Sequence, residues 1–276
     1  MTVALSIGKF GIRHTSSLKK LPAYDNVIQS VTGFQAMTGF AGTSGVRCGS
    51  AVGDSFTGMN CALAILMAYR KKLKTGKGSR IDLSMFDCIF GILEPHILAN
   101  TVNGENHQRV GNSDKYLFAP CDVYECKDGW FSIGITSNAE FRRFCESIGN
   151  EKLCEDERFI TNEDRCLNND ALTDEISGFF KDKTKAELEE LLRKKQVKNA
   201  PLLSIPEIIE HPQTKARNLI VEINDPGIGN YTVTGNPMFM TETPATYDKG
   251  APFLGEDTKR ILEELGYSST EIKEII

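Results

Sequence analysis

The chain has 276 residues, 40% of them hydrophobic and 25% charged, which is enough apolar material for one large core or two smaller ones. A net charge of −5 and a pI near 5.5 provide no broad basic surface to neutralise a phosphate backbone, so nucleic acid is excluded as an expected partner. No apolar run approaches the roughly 20 residues that cross a bilayer, and no basic region precedes the short apolar stretch of MTVALSIGKF, so neither a membrane partner nor export is expected.

The first 24 residues contain Lys, Arg and Ser but no acid, a composition superficially like an organelle transit peptide. Helical spacing of Val27, Ile28, Val31 and Phe34 predicts a helix over 25–37 with Asp25 as its cap, followed by a Gly-rich loop through Gly45. After Asp54, the run SFTGMNCALAILMAYRKKL predicts a strongly apolar helix with a basic last turn, stopped by KTGKG. In RIDLSMFD the alternation of Ile81, Leu83 and Met85 predicts a strand. Helix, tight turn and strand in this order imply an α/β organisation with a buried sheet.

Near residue 109 the texture changes. RVGNSDKYLFAPCDVYECKDGWFSIGIT predicts two strands joined at Lys127-Asp128-Gly129, a hairpin signal, and the start of a second, smaller domain. Helices are predicted at about 138–148, 169–181 and 184–197, the last opened by a Thr184-x-x-Glu187 capping box. NDPGIGNYTVTGNPMFM returns to strands and turns, and EDTKRILEELG and SSTEIKEII predict two capped helices. The basic runs Arg70-Lys71-Lys72 and Arg193-Lys194-Lys195 fall at helix ends, where they complement the helix dipole.

Eight cysteines (Cys48, Cys61, Cys88, Cys121, Cys126, Cys145, Cys154, Cys166) are scattered without a CxxC pair, the pattern of reduced thiols in a cytoplasmic-type compartment. The four histidines, His14, His96, His107 and His211, are isolated, and none stands at a metal-ligand spacing from another ligand, so no metal site is expected.

Five stretches stand in a definite order over nearly the whole chain: AYDNVIQSVTGFQAMTG, then GDSFTGMN continuing to GSRIDLSMFD, RVGN, IIEHPQTKARNLIVEINDPGIGNYTVTGNPM, and GAPFLGEDTKRILEELGYSSTEI. Together they resemble the class III CoA-transferase family, which includes formyl-CoA, carnitine and bile-acid-inducible CoA-transferases. The resemblance implies an α/β fold with a Rossmann-like large domain, a smaller α+β domain inserted in it, and two subunits interlocked like links. On this chain it implies residues 1–108 as part of the large domain, 109–200 as the small domain, and 201–276 as linker strands and helices returning to the large domain. Chains of the family begin with a further α/β segment that carries much of the CoA-nucleotide site, and the resemblance implies that this sequence lacks it. LSIGKFG then resembles the strand and glycine turn just before the AYD helix, a better account of the opening residues than a transit peptide. The protein is thus expected as a fragment, one half of a split enzyme or a chain with an altered start. Its expected partners are a second copy or a separate N-terminal segment.

From the residues alone, Asp54 reads as a helix N-cap that accepts from the amide of Phe56 or Thr57, worth ~1 kcal/mol. The resemblance places it instead at the family's nucleophilic carboxylate. A helix N-terminus keeps such a carboxylate ionised, and small neighbours such as Ala51 and Gly53 leave room for an acyl group. The implied reaction moves CoA between an acyl-CoA and a free carboxylic acid through mixed anhydrides and an aspartyl-CoA thioester, with coenzyme A as substrate and no metal or redox cofactor. The resemblance also gives Tyr24, Asp25 and Met85 roles along the CoA arm. Without it they read as a packed Tyr, another N-cap and a core strand Met.

The resemblance also implies that Gly111 and Asn112, in RVGN (Arg109 to Asn112), belong to a loop near the acyl site; the segment departs from the glycine-run loop of formyl-CoA transferases, which puts a formyl or oxalyl substrate in doubt. Two alternatives stand beside this reading. The α-methylacyl-CoA racemases share the fold and carry a His where this chain has Tyr24, with His96 of ILEPHILAN as a substitute base or else a satisfied core residue. The other alternative is an inactive fragment or partner subunit without the CoA-nucleotide site.

Overall fold

The computed structural model describes residues 22–225, 227–247 and 249–276, together with the backbone of residues 5–7. The chain divides into two units, Met1–Pro201 and Leu202–Ile276.

In the first unit, strand β1 (Leu5–Ile7) lies parallel to β2 (Ile81–Leu83), with Leu5 opposite Ile81 and Ile7 opposite Leu83. A parallel pair needs a crossover, and among the described residues three helices lie between the strands. The strand seen in LSIGKFG is therefore present, while the glycine turn after it, and His14, lie outside the described residues. The stretch read as one helix over 25–37 is two: α1 (Asp25–Val31) and α2 (Phe34–Met37). Gly33 breaks them with φ of +90°, a left-handed conformation that glycine adopts without steric cost.

The long apolar helix α3 (Val52–Thr75) ends at Gly76, also left-handed, with Lys72 and Lys74 in its last turn. Its apolar sequence does not translate into burial. Only Gly53 and Ala68 are buried, while Met59, Leu63, Leu66, Met67 and Leu73 are exposed. The β2 strand stops at Leu83 because Ser84 caps helix α4 (Met85–Ile92), its hydroxyl accepting from Asp87 N–H at 3.1 Å. Met85 is therefore the first residue of a helix and not a strand residue; three alternating positions cannot outweigh a cap. Helix α5 (Glu94–Asn103) follows, with Pro95 in its first turn and Gly104 closing it.

Strands β3 (Cys121–Cys126) and β4 (Gly129–Gly134) form the expected antiparallel hairpin around Lys127-Asp128. Helices α6 (Asn138–Ile148), α7 (Asn162–Leu167), α8 (Asn169–Lys181) and α9 (Lys185–Lys194) follow, and β5 (Asn199–Pro201) pairs antiparallel with β4. The capping box at Thr184 and Glu187 has both of its hydrogen bonds. Leu172, Ile176 and Phe180 repeat at four-residue intervals along α8 and are fully buried with Phe131, Ile133, Phe144, Leu188 and Leu192. Phe180 centres this core, its ring 4.7 Å from Tyr124 and 6.4 Å from both Phe131 and Phe144.

Phe180→Ala is expected to cost about 3–5 kcal/mol, the range for a buried aromatic truncated in a packed core. Urea unfolding should show the midpoint falling with an unchanged slope; a loss below about 1 kcal/mol would show that the site collapses around the smaller residue. Arg165 is also fully buried. It donates to the carbonyls of Ala119 (2.7 Å) and Phe159 (3.1 Å) and to Asn138 Oδ1 (3.1 Å), with its guanidinium 4.4 Å over the ring of Phe141.

The second unit contains α10 (Ile205–Glu210), α11 (Pro212–Ala216), an antiparallel hairpin of β6 (Ile220–Asp225) and β7 (Gly229–Thr234), and helices α12 (Thr258–Glu264) and α13 (Ser269–Ile275). The expected strands and terminal helices are found. Of those two helices only α13 has a side-chain cap, a box of Ser268 and Glu271; Asp257 before α12 instead pairs with Arg260 at 2.9 Å.

Candidate active site

Asp25 does not cap its own helix. It is the first residue of α1, after Tyr24 in the N-cap position, and its side chain reaches across to the head of α3. Oδ1 accepts from Gly53 N–H at 2.7 Å and Oδ2 from Gln29 Nε2 at 2.6 Å, with Arg47 Nη1 3.7 Å away. Gln29 in turn accepts from Cys48 N–H at 2.9 Å. The carboxylate of this buried residue, 6% exposed as a whole, thus sits on a first-turn amide of α3, where the helix dipole favours an anion. A Cβ on residue 53 would stand 2.9 Å from Asp25 Oδ1, so a larger residue there would push the carboxylate from this position.

Asp54 follows directly as the third residue of α3, so the N-cap reading is corrected. Ala51 occupies the cap position and supplies no side-chain bond. Helical geometry has already begun at Val52, and a carboxylate inside the first turn cannot fold back on the amides of Phe56 or Thr57 as a cap does. Asp54 is exposed, and among the described residues its carboxylate has no hydrogen-bond or ionic partner. Around it, Val52 N–H donates to Ser50 O at 2.9 Å, Gly53 N–H to Asp25, and Ser55 N–H to Ala51 O at 3.0 Å. The amide of Asp54 itself has no partner among the described residues, as a first-turn amide can. The head of α3 therefore presents an unengaged carboxylate beside an unengaged donor.

Tyr24 is 81% exposed, so it is not a packed aromatic, and its carbonyl accepts from Val27 and Ile28. Met85 is half-buried. It packs with Ala23, Phe34, Phe56 and Phe86 around Ile28 and Ile89, the small core under the heads of α1, α3 and α4. The fold thus brings Tyr24, Asp25, Asp54 and Met85 to one group of helix starts.

Gly111 and Asn112 belong to a neighbouring arrangement. Arg109 donates from Nη1 to Ala36 O at 2.9 Å, from Nε to Phe40 O at 3.4 Å and from Nη2 to Thr43 O, while Gly111 N–H donates to Gly39 O at 2.9 Å. The RVGN segment is thereby clamped onto the Gly-rich loop that follows α2. Gly111 has φ of +71°, and a Cβ there would lie 2.8 Å from the Phe40 ring. Asn112 is exposed. The Gly-rich loop is held by Arg109 on one side and, beyond Val46, by Gln29 at Cys48.

Sequence reading missed the Asp25–Gly53 bond, which spans 28 residues. The only local signal was the i,i+4 spacing of Asp25 and Gln29, which puts both on one helix face. It also missed that His96 and His107, isolated in sequence, meet with their Nδ1 atoms 3.2 Å apart; His96 is half-buried and is not an enclosed core residue. His211 caps α11 through Gln213 N–H. All eight cysteines are free, and burial pushes the Cys145 thiol well above its ordinary range. Among the described residues no group of three or more His, Cys, Asp or Glu side chains is placed to hold a metal, and no helix is long and apolar enough to cross a membrane.

A family model described as CoA-transferase family III matches residues 3–258. An acetyl-CoA:oxalate CoA-transferase from Acetobacter aceti is 31% identical over 92% of this chain and 64% of its own length. A succinate–glutarate CoA-transferase from Agrobacterium fabrum is 28% identical over the same shares. Among solved structures, a CAIB/BAIF family protein from Brucella suis matches with a TM-score of 0.79 at 29% identity, covering 93% of this chain and 66% of that one. The chain spans just under two thirds of the length of these relatives. With the family model matching from residue 3 to residue 258, the chain belongs to CoA-transferase family III.

Proposed function

We propose that this chain carries the nucleophile of a CoA-transferase that moves CoA from an acyl-CoA to a free carboxylic acid, and that the nucleophile is Asp54. The observation that carries this is the exposed Asp54 carboxylate, unpartnered among the described residues, at the head of α3 in a family III chain. Asp54 attacks the thioester carbonyl, the C–S bond breaks, and a mixed anhydride and a CoA thiolate result. The thiolate attacks the aspartyl carbonyl and expels the donor acid, leaving an aspartyl-CoA thioester. The acceptor carboxylate attacks that thioester, forming a second anhydride and releasing the thiolate. The thiolate then takes the acceptor acyl carbon and frees Asp54. Each tetrahedral state places negative charge near the free Asp54 N–H and the positive end of the α3 dipole, where such charge is stabilised.

In this reading Tyr24 and Met85 flank the CoA arm, and Gly111 and Asn112 border the acyl group. The parallel β1–β2 pair belongs to a Rossmann-like sheet, and the exposed apolar side of α3 is covered by a second copy in an interlocked dimer. Tyr24 also argues against racemisation, since a phenol is a poor base near neutral pH.

The test incubates the protein with an acyl-CoA panel and labelled free acids in deuterated water. Oxalate, succinate and glutarate, which the relatives' names contain, make a suitable first set of acids. The expected result is label in the CoA ester with no deuterium entering the α-carbon of a 2-methylacyl-CoA. Deuterium incorporation without acid exchange would reverse the assignment in favour of a racemase.

A further inference from the structure

Met37 of α2, Phe90 of α4, and Leu93 and Ile97 around the start of α5 line a groove of about 340 Å³, within the size range of small-molecule sites. One wall is polar and consists of His96, His107 and Glu105 in series. His96 Nδ1 and His107 Nδ1 are 3.2 Å apart, and His107 Nε2 is 3.0 Å from Glu105 Oε2. The His107 ring stacks on Tyr116 at 4.0 Å, and the Tyr116 hydroxyl accepts from Gln108 N–H at 2.8 Å, so the ring cannot turn freely.

The proton positions follow from this geometry. Hydrogen bonds from His107 and Asn103 hold the Glu105 carboxyl below the usual carboxylate range, so it is ionised and only accepts. His107 therefore donates from Nε2, and in the neutral ring its Nδ1 accepts. His96 must then donate from Nδ1, which leaves its Nε2 as a bare lone pair with no partner among the described residues. Among the described residues Glu105 is the only formally charged side chain lining the groove, and Asp114 interacts with His96 from outside it. With His107 neutral, this wall presents acceptors backed by the Glu105 carboxylate. An anionic head group would meet Glu105 uncompensated, whereas a cationic N–H donor would find both the lone pair and the carboxylate.

We propose that the groove is a binding site for an amphipathic amine, its alkyl tail along Met37, Phe90, Leu93 and Ile97 and its ammonium donating to His96 Nε2 beside Glu105. The site requires neither Asp54 nor the transfer reaction.

The test is calorimetric titration of the full chain with n-hexylamine, hexanoate and 1-hexanol, which share one tail. Hexylamine is expected to bind saturably at a single site and at least about tenfold tighter than the other two, the difference that one charge-assisted hydrogen bond makes. Proton NMR should show the ring signals of His96 and His107 moving with the amine alone. Glu105→Gln keeps the shape of the wall and is expected to weaken the amine about tenfold; Ile97→Trp fills the groove and is expected to abolish binding while leaving the charges in place. Asp54→Asn should bind hexylamine like the unsubstituted protein, which separates this result from any failure of the transferase reading. The proposal is overturned if hexylamine shows no saturable binding, if hexanoate binds as tightly, or if both groove variants bind the amine unchanged.

Discussion

Asp54→Asn is expected to fold like the unsubstituted protein and to lose CoA exchange by a factor on the order of 10³–10⁶, the scale seen when a covalent nucleophile is removed. The structure makes this substitution unusually clean. Asp54 is exposed, accepts no hydrogen bond from a described residue, and lies in the first turn without capping the helix. Asparagine keeps its shape and removes only the charge, at a cost of about 0.3–1 kcal/mol of dipole interaction. Because Ala51 occupies the cap position, Asp54→Ala should be nearly as stable as Asp54→Asn, and neither loss of activity can then be ascribed to unfolding. The two variants are compared by circular dichroism melting and by exchange rates. Incubation with acyl-CoA followed by hydroxylamine should leave a hydroxamate on the peptide containing residue 54 in the unsubstituted protein alone. A folded Asp54→Asn protein with undiminished exchange would sink the catalytic assignment.

The same residue shows where sequence reading stops. Capping boxes and tight turns are set by neighbours a few positions apart, so Thr184 with Glu187, the Lys127-Asp128 hairpin and the end of α3 at Gly76 were all readable from letters. The start of α3 was not, because the group that engages its first-turn amide comes from Asp25, a partner no local pattern can reveal. The alternation that made Met85 look like a strand residue was real but three positions long, and one Ser84 hydroxyl accepting from Asp87 N–H overrode it. Apolar composition likewise predicted a helix at α3 correctly while saying nothing of what covers it. The pairing of His96 with His107 depends on how the chain turns after α5, and an eleven-residue separation carries no such information. Of the site, Asp54, Asp25, Tyr24 and Met85 were named from a family pattern; that three helix starts converge on them is a fact of packing.

Asp25→Ala is expected to lower stability by about 2–3 kcal/mol, since it deletes a buried acceptor and leaves the Gly53 N–H without a partner in a site closed to water. Exchange activity should fall further than stability alone explains. The amide that Asp25 holds belongs to the residue next to Asp54, and small displacements of a reacting group are costly, with about 1 Å worth about a hundredfold in rate. Asp25→Asn should lie between the two proteins. Its remaining oxygen can still accept from Gly53, but its amide faces the Gln29 NH2 as a second donor, and turning the Gln29 amide over would sacrifice the bond to Cys48 N–H. Gln29→Leu combined with Asp25→Asn should therefore be non-additive, with a coupling of about 0.5–3 kcal/mol.

The kinetic signature distinguishes a brace from a ligand contact. If Asp25 positions the head of α3, kcat falls in the order Asp, Asn, Ala while KM for acyl-CoA hardly moves, and the yield of trapped hydroxamate at Asp54 drops in step. If Asp25 instead binds the CoA arm, KM for acyl-CoA rises and the melting temperature stays near that of the unsubstituted protein. The geometry favours the first outcome, because both carboxylate oxygens are already engaged inside the fold and almost none of the residue is exposed to meet a ligand.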